Sequence, residues 1–268
     1  MWRKLNRIDA LELEKARIQL QNAIQLISAA PRSYLDDSVA RKDWLLWDTE
    51  HSSFESLSFG KDPRVKLKLD IEQFVLSIIG DDDHIEHLVL SGITYPMAFG
   101  WLKVKLESFS LDADLYHDVT NYEIEQIFGL DDELNVTKQQ VFSDILTYYA
   151  NAFDLFMKLN EGLELHGVIS INPATMNMVL NLKKKTAIFD IGFSLGNRQI
   201  KAPFYFMQMH DEPEDSLQKR SDFVGNWNEK DWHGLIISAN EFLNTKTEVE
   251  ESLVSDFFNK NYWRLANR

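Results

Sequence analysis

The chain has 268 residues, no cysteine and a formal charge of −14, with 44% hydrophobic and 12% aromatic side chains. Without cysteine there is no disulfide scaffold, zinc ribbon, iron–sulfur site or thiol nucleophile. The acidic surplus is concentrated: residues 70–135 carry 15 acidic and 2 basic side chains, a net of −13, which argues against nucleic acid or an anionic membrane as partner.

The amino-terminal stretch has basic residues but no apolar run and no small-residue cleavage site behind them, so it does not read as a signal peptide. No apolar run approaches the length of a membrane span; the nearest, 88–102, is interrupted by Ser91, Gly92, Thr94 and Pro96. A soluble cytoplasmic protein is expected. The sequon at Asn135-Val136-Thr137 would then never meet glycosylation enzymes.

In chain order, Asp9 and Glu12 form a capping-box pattern with Ile8 and Leu13 at the staple positions. The stripe Leu13, Ala16, Leu20, Ala23, Ile24, Ile27 predicts a helix over 9–29, stopped by Pro31. Five short strands follow at 44–48, 54–59, 64–71, 74–79 and 86–90. The third alternates strictly, so one of its faces is buried and the other is wet. Gly60-Lys61-Asp62-Pro63 and Gly80-Asp81-Asp82-Asp83 supply turns. A helix is expected over 96–109, then an acidic connector over 110–135.

Thr137 with Gln140, and Val136 with Val141, repeat the capping box and staple. They open a long helix over 138–160 with the stripe Val141, Phe142, Ile145, Leu146, Ala152, Phe153, Phe156, Leu159, ended by Gly162. His166-Gly167 reads as its terminator. Strands are expected at 167–171, 176–182, 186–193, 203–208 and 233–238, with Lys183-Lys184-Lys185 as a solvated hairpin tip. A last helix spans about 247–265. The fold class is therefore α+β, antiparallel sheets covered by helices in one compact body over 1–268. Residues 9–109 and 137–265 share the order helix, five strands, helix, so two pseudo-repeated halves, 1–130 and 131–268, are a hypothesis. Coincidence from a small menu of elements is the alternative.

Signatures of serine hydrolases, zinc proteases, P-loops and dinucleotide-binding loops are absent. Gly192-Phe-Ser-Leu-Gly196-Asn197-Arg198 lacks the spacing of a phosphate cradle and reads as a turn. Asp81-Asp82-Asp83-His84-Ile85-Glu86-His87 offers oxygen and nitrogen ligands, but in a strand His84 and His87 point to opposite faces, so a solvated turn is the reading. The aromatics Trp44, Trp47, Tyr148, Tyr149, Phe153, Phe156, Phe204, Tyr205, Phe206, Tyr262 and Trp263 mostly supply core.

The stretch 209–231 is longer than loops in compact domains usually run. It contains His210, Asp211, Glu212 and Trp227 and is closed by Trp232 and His233. If its flanking strands pair as antiparallel neighbours, the two imidazoles meet at the loop base among carboxylates and tryptophan. That composition suits a small-ligand or metal pocket; a solvated acidic loop with incidental histidines is the alternative.

The order of elements, the 15–30 helix, the alternating strand ending in Asp70, the long helix ahead of 167–182, Ala202-Pro203-Phe204-Tyr205-Phe206 followed by Asp211-Glu212-Pro213, and the closing strand and helix together resemble an uncharacterised bacterial family known only as a domain of unknown function. The resemblance implies an α+β bacterial cytosolic protein and transfers no residue roles. Where that family has a tryptophan-glycine-serine-phenylalanine stretch, this chain has Ser170-Ile171-Asn172-Pro173, so a site built on that stretch would be missing here.

No coherent acid, base and nucleophile set assembles from local spacing, which favours a non-catalytic small-ligand-binding or structural protein. The competing expectation is a metal-dependent or acid/base enzyme with its pocket under the 209–231 loop. A third is that the acidic 70–135 surface docks a basic protein.

Overall fold

The computed structural model describes residues 2–61, 64–81, 84–117, 132–184, 187–209, 223–228, 234–243 and 245–266. As the alternation and helical stripes predict, the fold is α+β with antiparallel sheets. In chain order the elements are α1 (Ala10–Tyr34), β1 (Leu46–Asp48), β2 (Ser53–Glu55), β3 (Val65–Asp70), β4 (Val75–Gly80), β5 (Ile85–Val89), β6 (Ile93–Thr94), α2 (Tyr95–Ser108), β7 (Glu133–Leu134), α3 (Gln139–Gly162), β8 (Ile169–Ile171), β9 (Met178–Lys184), β10 (Ala187–Ser194), β11 (Phe204–Met209), β12 (Asn226–Asn228), β13 (Gly234–Ser238), α4 (Ala239–Phe242) and α5 (Thr247–Ala266). Two compact units result. One comprises Leu11–Leu146 with Ile171–Met176; the other comprises Met1–Ala10, Thr147–Ser170 and Asn177–Arg268.

The Leu11–Leu146 unit contains a five-stranded meander in the order β1-β2-β3-β4-β5. In β3 the alternation Val65, Leu67, Leu69 against Lys66, Lys68, Asp70 gives a strictly alternating burial pattern, because successive side chains point to opposite faces. Leu67, Leu69, Leu76, Ile78 and Phe54 are fully buried on the inner face, and Phe74 meets Phe142 edge-on at 5.5 Å. Three glutamines of α1 are buried beside its apolar stripe. They serve as backbone anchors: the Gln25 amide donates to the Pro173 carbonyl at 2.9 Å, the Gln21 amide donates to the Ala174 carbonyl, and Gln19 Oε1 accepts from Asn135 N–H. Each bond gives a buried side-chain group a partner, although Gln21 Oε1 itself has none among the described residues.

Pro31 does not stop α1, which continues for a further turn to Tyr34. Proline forfeits one backbone donor but keeps a helical φ, and that last turn is held by its own contacts. Leu35 N–H reaches the Pro31 carbonyl at 2.9 Å, Tyr34 stacks on Phe59 at 5.3 Å, and the Tyr34 hydroxyl donates to the Asp112 carbonyl at 2.8 Å. Further on, α2 is capped by Thr94, whose Oγ1 accepts from Met97 N–H, with Pro96 in the first turn.

The second unit is built on a six-stranded sheet ordered β12-β13-β11-β10-β9-β8. Tyr205 sits at its aromatic centre, with Phe193, Phe242, Phe258 and Phe156 rings 5.2 to 6.4 Å away. Of the aromatics expected in core, Trp263 is instead 53% exposed. Gly192 lies inside β10, not in a turn as its sequence suggests; a Cβ there would collide with the Phe206 ring across the sheet. Three asparagines clamp backbone outside the helices and strands with both ends of the amide. Asn151 accepts from Arg3 N–H and donates to its carbonyl, Asn160 does the same for Gly167, and Asn261 for Val224. α3 ends at Gly162, so Asn160, rather than His166 as a terminator, fixes the chain at Gly167.

Candidate functional site

Strand register sets out the outer face of the five-stranded sheet row by row. Asp48, Ser53, Asp70, Val75 and Val89 form one row; Leu46, Glu55, Lys68, Ser77 and His87 the next; Lys66, Ile79 and Ile85 a third. The β1–β3 half is charged and the β4–β5 half is aliphatic. Between them lies a groove of about 510 Å³, within the size range of small-molecule sites, with Val75, Ile79, Ile85 and Val89 as its apolar walls and Ser77, His87, Lys68, Asp70, Gln73 and His51 as its polar groups. Ile85 and Val89 are 47% and 58% exposed.

The polar groups have defined geometry. Ser77 and His87 face each other in a non-hydrogen-bonded backbone pair, where side chains approach most closely, and the serine Oγ lies 2.8 Å from His87 Nδ1. Lys68 Nζ lies 2.6 Å from Asp48 Oδ2, with both side chains largely buried, and His51 Nδ1 lies 2.7 Å from the same oxygen. Burial alone would raise the Asp48 pKa, but hydrogen bonds from Lys68, His51 and the Glu50 N–H outweigh it and hold the carboxyl well below the usual carboxylate range. Lys66 pairs with Glu55 at 3.0 Å. Both lysines of this face are therefore matched by its carboxylates, while Asp70 accepts from the Gln73 N–H.

The histidines of the 81–87 run part as the alternation predicts. His87 joins the groove, while the His84 ring lies tilted against Phe109 at 4.9 Å and, with Lys105, contacts Glu86. Hydrogen bonds from Lys105 and then His84 lower the Glu86 pKa. Among the described residues no group of three or more His, Asp or Glu is placed to hold a metal ion, and no helix is long and apolar enough to cross a membrane.

Of the residues expected around the 209–231 loop, His210, Asp211, Glu212, Trp232 and His233 lie outside the described residues. The strands that flank the loop do pair antiparallel, with Gln208 opposite Gly234. Trp227 lies on β12 opposite Leu235. The strand β12 leaves no mark in the sequence, because three residues within a polar stretch carry no period.

The groove residues share no local motif, although the sequence does carry a signal for them. Val75-Leu-Ser-Ile-Ile79 is apolar on both faces, the pattern of a strand covered on both sides, whereas its neighbour β3 is charged on one face. That mismatch marks a half-covered sheet. No family model, curated protein or solved structure matches this chain.

Proposed function

We propose that this is a non-catalytic binding protein whose ligand lies in the groove over β3, β4 and β5. The observation that carries this reading is the set of four aliphatic side chains, Val75, Ile79, Ile85 and Val89, left open around a Ser77–His87 hydrogen bond. An apolar wall with a few convergent polar groups is the usual composition of a ligand site. Because Lys68 and Lys66 are engaged by Asp48 and Glu55, the groove favours a ligand with an apolar body and hydrogen-bonding groups, with no requirement for anionic charge. The acidic chain favours neither nucleic acid nor anionic membrane as partner.

Titration with the fluorescent hydrophobe anilinonaphthalene sulfonate tests the reading. Saturable binding to the native protein is expected, reduced at least about tenfold by Ile79→Asp with the circular dichroism spectrum unchanged. Equal dye binding by both proteins contradicts it. A parallel thermal-shift scan with divalent ions addresses metal-dependent chemistry at 209–231. Stabilisation that grows with ion concentration as RT ln(1 + [L]/Kd), and is removed by alanine at His210 and His233, would replace the binding reading with the enzymatic one.

A further inference from the structure

We infer that the free edge of β5 is a strand-addition surface for an extended basic peptide of a partner protein, an inference that rests on reading the adjoining groove as a binding site. β5 ends the five-stranded sheet. Gly80 N–H bonds to the His84 carbonyl at 2.9 Å and Leu90 N–H to the Phe74 carbonyl at 3.0 Å. With period two, the residue pairs 80/84, 78/86, 76/88 and 74/90 are the hydrogen-bonded ones. The N–H and C=O groups of Ile85, His87 and Val89 therefore point away from β4, and among the described residues no backbone group bonds to them.

The side chains of the same three residues stand on the groove face, all exposed. Pairing and pocket filling thus coincide in register, the combination that strand addition uses: main-chain hydrogen bonds for affinity and pockets for alternate side chains. An incoming strand would lay every second residue over Ile85, His87 and Val89, where the groove walls demand apolar side chains. Its other residues would lie on the face that carries Glu86. Glu86 is already engaged by Lys105 and His84, so the charge preference comes from Asp81, which precedes the strand, and from the net −13 of residues 70–135: basic residues are attracted and acidic ones repelled. The occupant is a strand that alternates apolar with Lys or Arg.

A fluorescently labelled eight-residue peptide alternating lysine with valine, read by anisotropy against the full chain, tests this. Saturable binding is expected, weakening about tenfold as salt rises from about 50 to 500 mM. N-methylation at alternate residues of the peptide should abolish it, since this removes the donors without altering the side chains. Bound peptide should also displace anilinonaphthalene sulfonate. Equal affinity of the N-methylated peptide overturns strand addition. Absent peptide binding, with normal dye binding, overturns it and leaves the groove reading intact; absence of both removes the groove reading as well. A concentration-dependent dimer in sedimentation, dissolved by Val89→Pro, overturns the peptide assignment in favour of a second copy on the same edge.

Discussion

Replacing Lys68 by methionine keeps the aliphatic stem in the sheet and removes the charge that holds Asp48. The two atoms lie 2.6 Å apart, and the side chains are only 11% and 16% exposed. Two unit charges at about 4 Å attract by about 4 kcal/mol at an effective dielectric near 20, but desolvation of both offsets much of that gain. Removal of one partner from a fully buried pair costs about 3 to 5 kcal/mol. Here His51 and the Glu50 N–H still contact Asp48, so a loss of about 2 kcal/mol is expected at pH 7. Urea unfolding of the wild type, Lys68→Met, Asp48→Asn and the double variant measures it, with a coupling of about 1 to 2 kcal/mol expected. The pH dependence has a definite sign. Asp48 has a folded pKa below its ordinary value of 3.8, so its contribution is complete above that value and is lost as pH falls through the folded one. Between about pH 4 and 2 the wild type should therefore lose stability that Asp48→Asn does not. A Lys68→Met cost under about 0.5 kcal/mol at pH 7, the range of surface substitutions without a named mechanism, together with zero coupling, would refute the claim that Lys68 and Asp48 neutralise each other.

The asparagine clamps predict that Asn151→Ala and Asn261→Ala each cost about 2 kcal/mol, since each leaves a backbone donor and acceptor without partner; native-state hydrogen exchange should show the Arg3 and Val224 amides, respectively, losing protection. Gly192→Ala should cost about 1 to 3 kcal/mol by overpacking against Phe206, visible as a lower urea midpoint, and a neutral result would contradict the ring's placement. Burial and then Asp112 push the Tyr34 hydroxyl up to about 12 from 10.0. Its neutral form therefore stabilises the fold below pH 10, and this is lost as pH rises toward 12. Absorbance at the tyrosinate band should show a late-titrating group that Tyr34→Phe removes, while Tyr205, whose burial raises its pKa well above 10.0, still titrates late in the variant.

Where one physical rule acts locally, the sequence alone was enough to place the element. The strict alternation of Val65-Lys-Leu-Lys-Leu-Asp70 can satisfy only a strand with one wet face, and the stripe from Val141 to Leu159 only a helix. Pro31 misled because the missing donor is a local property, whereas the contacts of Tyr34 that extend α1 come from residues 59 and 112, distant in sequence. Gly192 misled for the same reason, since its constraint is a phenylalanine on the neighbouring strand. The groove was hidden by register. Lys68, Ser77 and His87 are scattered over twenty positions and meet only because two hairpins align them in one row. Nothing in the spacing of His87 reveals that its partner is Ser77.

The central claim is that the β3–β5 groove is a ligand site, and dye titration of the wild type and Ile79→Asp tests it most directly. Ile79 is only partly buried, so the substitution should leave the urea midpoint nearly unchanged while placing a carboxylate in the groove. The account predicts saturable dye binding to the wild type and at least about a tenfold loss in the variant, within the cost of burying an unpaired charge. The same dye affinity in both proteins, at equal stability, would contradict it.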